Sequence, residues 1–337
     1  MSKVIKKIIP LDFMWPVQNP FLFFAHHRDI YPKGNENMGP SASLSGRNIG
    51  NDFTLKDGWR MYHGESVPGF PVHPHRGFET ITIVLVGFVD HSDSYGQAGR
   101  YGQGDVQWMT AGKGLQHCEM FPLLNTKSEN PLELFQIWLN LPKEKKYAEP
   151  FYKMLWSDEI VQHTITDNKN NKTHLKIICG KFNNISVTPA APDSWATDIN
   201  NQIAVFLIKM DANAVFNIPT ADKDVNRSLY IYKGSEINID NQYILSGNAI
   251  ELNANENLSI INGNTETYMV LLQGKPILDT VVQYGPFVMN THTEIQQTLE
   301  DYRKTQFGGW HWQSKSMVFP REKRRFAKYK DGTEEIK

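Results

Sequence analysis

The sequence predicts an all-β protein of barrel- or sandwich-like halves, followed by a short C-terminal helix and a tail. Three observations carry this reading. Residues 78–86 (Phe-Glu-Thr-Ile-Thr-Ile-Val-Leu-Val) form a β-branched run with no helical period, as a buried strand does. Between Gly58 and Leu141, short apolar runs alternate with glycine-bearing turns, which suits a sandwich or barrel better than an α/β fold. A second series of strand-like runs then follows, at 175–178, 203–209, 228–232, 243–245, 258–261 and 267–272.

At 337 residues the chain is long enough for two domains with a sizeable core. A net charge of −1 gives no overall attraction to nucleic acid or to an anionic membrane. The two cysteines, Cys118 and Cys179, make no disulfide framework, which fits a reducing compartment. No apolar run approaches the ~18 residues of a spanning helix. Pro10, Asp12 and Pro16 interrupt any apolar region of a signal peptide. The expected location is cytoplasmic.

Taken in order, residues 1–50 carry brief apolar bursts among Pro, Gly and Asn, and 31–50 reads as a long loop or cover. His26 and His27 are adjacent, so on extended backbone they point apart, and local hydrogen bonding accounts for them. After the 78–86 strand, turns are expected at Gly87, Asp93–Gly99, 102–105 and 111–114, with strands at 106–109 and 132–139. The charged, proline-bounded stretch 142–150 marks an edge of the first half. Thr293-Glu294-Ile295-Gln296 has the form of a capping box. Ile295, Leu299 and Tyr302 then recur at helical spacing, up to Gly308-Gly309. The tail from 321 to 330 holds six basic residues against one acid, read as a solvated or packing tail because no basic face accompanies it.

The chemistry sits in two short patterns, His73-Pro74-His75 and His117-Cys118-Glu119. Residues two apart on a strand share a face and lie roughly 7 Å apart. Two such pairs on neighbouring strands can bring three imidazoles and a carboxylate to one point. Counting by twos from His73 also reaches Glu79, so Glu79 and Glu119 compete as the carboxylate. The other would orient a ligand imidazole from behind. Cys118 should face away, as a core thiol. Imidazole and carboxylate suit Fe, Mn, Ni, Cu or Zn. The lack of a cysteine cluster favours an open site over a closed structural zinc. The second half has no histidine between His174 and His292, hence no comparable site.

The segments 73–80 (His-Pro-His-Arg-Gly-Phe-Glu-Thr), 104–112 (Gly-Asp-Val-Gln-Trp-Met-Thr-Ala-Gly) with Gly114 and His117, 136–142 and 283–291 closely resemble the pirin family of the cupin superfamily. The resemblance implies a bicupin, two antiparallel β-barrels with one metal in the N-terminal barrel. The expected division is then 1–155 for the metal-binding barrel, 156–290 for a cupin-like barrel without a metal, and 291–337 for the helix and basic tail. It implies His73, His75, His117 and Glu119 as ligands. The general cupin pattern would instead use Glu79 and place the second histidine at Leu115. Pirins are associated with iron, and the family includes quercetin 2,3-dioxygenases as well as regulators that bind transcription or metabolic partner proteins. The 31–50 insertion and the tail beyond Gly309 depart from the shorter animal-type members.

On that basis the expected cofactor is one divalent transition metal, iron(II) first, with Mn, Ni, Cu, Co or Zn as alternatives. The expected activity is a dioxygenase acting with O₂ on flavonol-like enolic molecules, Glu119 taking the substrate's hydroxyl proton. Parity places Ile81, Ile83, Gln136 and Trp138 toward the pocket, with Glu79 behind the ligands. The competing expectation is an iron- or redox-sensing protein that changes its loops near 93–102 for a protein partner, and a third is a metal-stabilised scaffold. Neither a membrane nor nucleic acid is expected as a partner.

Overall fold

A computed structural model describes residues 2–189 and 191–337. The chain forms two compact units that interleave in sequence. One gathers the chain up to Ala25, Trp138–Asn140 and Asp158–Leu278; the other gathers His26–Ile137, Leu141–Ser157 and Asp279–Lys337. These units differ from the contiguous segments 1–155, 156–290 and 291–337. The opening strand Ile5–Pro10 pairs with Asn248–Asn253, and the helix and tail belong with residues 26–137.

The unit holding the histidine pairs is built on two sheets. In the five-stranded sheet the order is Phe151–Leu155, Val106–Thr110, Phe78–Val86, Asn130–Asn140, Phe21–Tyr31. In the six-stranded sheet it is Glu334–Ile336, Phe326–Lys328, Ala98–Gly102, Phe88–Asp93, Leu115–Met120, Gly69–His75. The Phe78–Val86 strand lies at the centre of its sheet and is buried on both faces. Phe78, Ile81 and Ile83 are completely covered, each stabilising the fold by roughly 1.5–3 kcal/mol. That two-sided burial is why its sequence is a near-continuous β-branched run. Side chains of the two sheets meet between them: the Thr82 hydroxyl reaches Glu119 (3.2 Å) and the Tyr152 ring stacks on His91 (5.1 Å).

The other unit has an eight-stranded sheet, Ile5–Pro10, Asn248–Asn253, Asn226–Lys233, Thr267–Gly274, Ala204–Met210, Lys172–Phe182 and Val161–Thr166 in order, with Ile185–Val187 pairing Lys172–Phe182. A four-stranded sheet, Val215–Ile218, Leu258–Asn262, Glu236–Ile239 and Gln242–Leu245, completes it. Its core is apolar and includes Leu175, Phe206, Leu229, Ile250 and Leu271.

Three local expectations are corrected. Residues 21–31, read as an apolar burst running into a loop, are an eleven-residue strand. Residues 98–102, placed partly in a turn, are a strand paired with Phe88–Asp93. The helix His292–Thr305 is capped by Thr291, not Thr293. The Thr291 hydroxyl accepts from Glu294 N, and the Glu294 carboxylate accepts from Thr291 N. Thr291 also stands three residues before a carboxylate, and only it has the extended backbone that a cap requires. The helix stops on Gln306, in left-handed conformation at φ 49°, ahead of the two glycines.

The tail packs. Phe326–Lys328 adds a strand beside Ala98–Gly102. Arg325 meets both oxygens of Asp105 (2.8 and 3.0 Å), and Arg321 donates to the carbonyls of Leu123 and Leu124. No described helix is long and apolar enough to cross a membrane.

Candidate metal centre

Gly69–His75 pairs antiparallel with Leu115–Met120, His73 opposite His117 and His75 opposite Leu115. Alternation then turns all three imidazoles to one side. Ring centroids are 4.4 Å apart for His73 and His117, 4.8 Å for His73 and His75, and 4.9 Å for His75 and His117. One ring nitrogen of each lies within 4.8 Å of the others. His117 is fully buried and His75 nearly so, while His73 is half-buried and marks the open side.

Two of the rings have their protons placed by their neighbours. His73 Nδ1–H donates to the Pro71 carbonyl (2.8 Å), leaving the Nε2 lone pair for the site. Behind His117 stands His91, Nδ1 to Nδ1 at 3.4 Å, and behind His91 stands Asp93, whose Oδ2 is 3.5 Å from His91 Nε2. The carboxylate can only accept, so His91 carries a proton on Nε2, and in its neutral form its Nδ1 is left as the acceptor. His117 Nδ1–H therefore donates to His91. His117 Nε2, buried and without a hydrogen-bond partner among the described residues, keeps its lone pair toward His73 and His75. Asp93 is anchored in turn by Tyr95 N, Gln97 N and Gln97 Nε2. Sequence reasoning missed this His91–Asp93 pair because it read Asp93 only as the start of a turn. The signal was present: His91-Ser92-Asp93 has the same alternate spacing as His73-Pro74-His75.

Glu119 Oε2 lies 3.8 Å from His117 Nε2. Its Oε1 is within reach of the hydroxyls of Thr82 (3.2 Å) and Tyr101 (3.4 Å). Thr82 also lies 2.8 Å from Gln136 Oε1, which is the partner that a polar residue in an apolar strand requires. Glu119 stands beside the three imidazoles rather than inside their tightest grouping.

Glu79 does not share the face of His73 and His75. The strand ends at His75, the chain turns at Gly77 (φ 87°), and a new strand begins at Phe78. Counting by twos fails across that turn. The buried Glu79 carboxylate accepts from Trp108 Nε1 (3.2 Å) and Thr110 Oγ1 (2.7 Å) on the neighbouring strand. The same reset corrects Ile81 and Ile83. Thr82 is the residue that meets Glu119, so the odd-numbered positions point to the opposite face. Trp138 packs its ring on Phe23, centroids 4.8 Å apart.

Cys118 faces away from the imidazoles, with Val67, Met120 and Met317 around it, and burial pushes its thiol up to about 12. His26 Nε2 meets Glu133 (2.9 Å), and His27 packs among Tyr62, Phe70 and Phe121. Neither joins the imidazole cluster, but the contacts are with distant segments rather than local: Glu133 lies 107 residues from His26.

Burial dominates the acid–base properties of the centre. It lowers His73 to about 4 and holds His75 and His117 well below the usual imidazole range, neighbouring imidazoles adding to it in all three. Burial also raises Glu119, offset in part by His91, Thr82 and Tyr101. Neutral imidazoles with directed lone pairs are the state that a metal requires. A divalent ion would also supply the positive charge that draws Glu119 back to its carboxylate form. The donor set and the orphaned His117 nitrogen fit a metal ion.

Comparison with known proteins agrees with this architecture. The pirin family profile matches residues 19–139, and that of the pirin C-terminal cupin domain matches 205–308. A Vibrio cholerae protein that carries the provisional name quercetin 2,3-dioxygenase is 35% identical over 241 residues, 72% of this chain and 80% of that protein. Pirin-like protein 2 of Arabidopsis thaliana is 34% identical over 257 residues, 69% of each chain. Among solved structures, a quercetin 2,3-dioxygenase from Acinetobacter baumannii superposes with a TM-score of 0.69 at 22% identity, covering 91% of this chain and 99% of that one. At that identity the likeness speaks to the bicupin fold. The chain belongs to the pirin family of the cupin superfamily.

Proposed function

We propose that this pirin is a metal-dependent dioxygenase acting on flavonol-like enolic small molecules, with His73, His75, His117 and Glu119 holding one divalent transition metal, iron(II) first. The observation that carries the reading is the convergence of three neutral imidazoles with a Glu119 oxygen 3.8 Å from His117 Nε2. The relatives named for quercetin dioxygenase support the substrate class.

A bound metal would supply Lewis acidity and a template for substrate and O₂. The chain's own residues do the rest. Pro71 and His91 direct the ring lone pairs of His73 and His117 into the site. Tyr101 and Thr82 orient Glu119 from its Oε1 side and turn Oε2 toward the imidazoles, and the carboxylate would take the substrate's hydroxyl proton through Oε1 while Oε2 stays at the centre. In its carboxylate form Glu119 can only accept, which suits that role. Buried walls around His75 and His117 limit water, and the half-buried His73 leaves an approach for the substrate.

Cys118 and Cys179 are both buried and neither is joined in a disulfide, which supports a reducing, cytoplasmic setting. Arg321 and Arg325 are engaged within the fold, which supports a structural tail rather than a nucleic-acid contact.

The test loads anaerobic protein with Fe(II), adds quercetin, admits O₂, and follows gas uptake and product together. Stoichiometric uptake with turnover is expected. No uptake with Fe, Mn, Ni, Co, Cu or Zn overturns the dioxygenase reading in favour of the sensing alternative.

A further inference from the structure

The unit without histidine ligands has a cavity of its own. It measures about 640 Å³ and is lined in part by Phe182, Phe206, Ile218, Gln202, Gln273 and Arg227. That volume lies within the range of small-molecule sites, roughly 300–1,000 Å³.

Arg227 is the unusual member. It lies on the strand Asn226–Lys233, where Leu229 and Ile231 are core residues. Alternation therefore turns Arg227 inward with them, at the end of the strand where the core gives way to the cavity. The side chain is only 2% exposed. Its Nε–H donates to Gln273 Oε1 (2.7 Å) and one terminal nitrogen donates to the Pro219 carbonyl (2.8 Å). The other terminal nitrogen is buried and has no hydrogen-bond partner among the described residues. Both partners are neutral, and no described carboxylate pairs with this guanidinium. The two acids that line the cavity are exposed and otherwise engaged: Asp222 with Lys275 Nζ (2.9 Å), and Asp198 with Asn200 N (2.9 Å). Lys181, also exposed, adds a cation among the lining residues.

A buried cation without a counter-charge destabilises a fold. Burial alone lowers Arg227 to about 10, with no anion acting against it. A planar guanidinium with an unpartnered N–H is shaped for a carboxylate. Phe182, Phe206 and Ile218 give an otherwise largely polar lining one apolar face, which the body of an organic acid could meet.

We propose that the second barrel binds a small organic carboxylate, its charged end on Arg227 and its apolar body against Phe182, Phe206 and Ile218. This site is separate from the His73–His117 centre and does not depend on the reaction proposed there.

Calorimetry of the full chain with 2-naphthoate and benzoate, against naphthalene-2-carboxamide and inorganic phosphate, tests it. One acid is expected to bind per chain, with the neutral amide about 10- to 100-fold weaker. His117→Ala is expected to leave that binding intact. Arg227→Met is expected to abolish it while keeping or raising the melting temperature of the unliganded protein. Thr220→Trp, at an exposed lining position, fills the cavity with Arg227 unchanged and is expected to give the same loss, whether or not Arg227→Met folds. Failure of both acids to bind overturns the proposal. So does binding that survives Thr220→Trp, binding lost in His117→Ala, or phosphate binding with equal strength.

Discussion

His91 stands directly behind His117, the two Nδ1 atoms 3.4 Å apart, with Asp93 closing the line at 3.5 Å from His91 Nε2. The arrangement leaves one orientation of protons in which His117 presents a lone pair to the metal centre. His91→Phe keeps a ring in the space and removes the acceptor. Metal affinity, measured by competition with a chelator, is expected to fall about 10- to 100-fold. Asp93→Asn should weaken affinity in the same direction. Unchanged affinity in both variants would separate His91 from the centre.

The two carboxylates raised by the sequence should part in their effects. Glu119→Ala is expected to lower the metal content of purified protein, read by elemental analysis, more than Glu79→Ala does. Glu79→Ala is expected to act on stability instead. It leaves Trp108 Nε1 and Thr110 Oγ1 buried without that acceptor, a loss of about 1–3 kcal/mol in urea unfolding. The reverse order would exchange their roles.

Acid should unfold the protein partly through His27. Its folded-state value, about 3 by burial first and then by His26 and Arg60, lies below the ordinary 6.5. The unfolded chain therefore binds more protons between these values, and stability rises with pH across that window. The neutral form is favoured in the fold, so this contribution is complete above pH 6.5 and is lost as pH falls toward 3. The span is on the order of a few kcal/mol. His27→Phe, which retains an aromatic ring beside Tyr62 and Phe70, is expected to flatten that part of the pH–stability curve. An unchanged slope would contradict it.

Arg100 fastens the tail to the sheet that carries the three imidazoles. It pairs with both oxygens of Asp90 (2.7 and 2.8 Å) and donates to the carbonyls of Phe319, Pro320 and Lys323. Arg100→Ala strands the buried Asp90 and should cost about 3–5 kcal/mol, read by chemical denaturation. Limited proteolysis should then cut first within residues 310–337. Equal resistance in the variant would show that the tail is held by other contacts.

Much of this was legible beforehand, and the misses have definite causes. Strands such as Phe78–Val86 and Ala204–Met210 were visible because their apolar runs are set by two-sided burial. Phe21–Tyr31 was not, since His26, His27, Arg28 and Asp29 interrupt its apolar pattern. Those polar side chains find partners in the fold: His26 with Glu133, and Asp29 with Tyr62 (2.6 Å) and Arg60 (3.1 Å). The helix is legible from its spacing, but two threonines offer the same motif, and only the extended backbone at Thr291 marks it as the cap.

The sequence by itself determined the β architecture and the two face-matched pairs, His73 with His75 and His117 with Glu119, since side-chain alternation depends only on spacing within one strand. The tertiary structure decided which strands are neighbours, and with that which groups touch. The turn at Gly77 carries Glu79 off the imidazole face, and the pairing of Phe88–Asp93 with Leu115–Met120 sets His91 behind His117. Neither relation follows from spacing. A positive-φ turn breaks the alternation, and contacts between strands depend on a pairing that no single segment encodes.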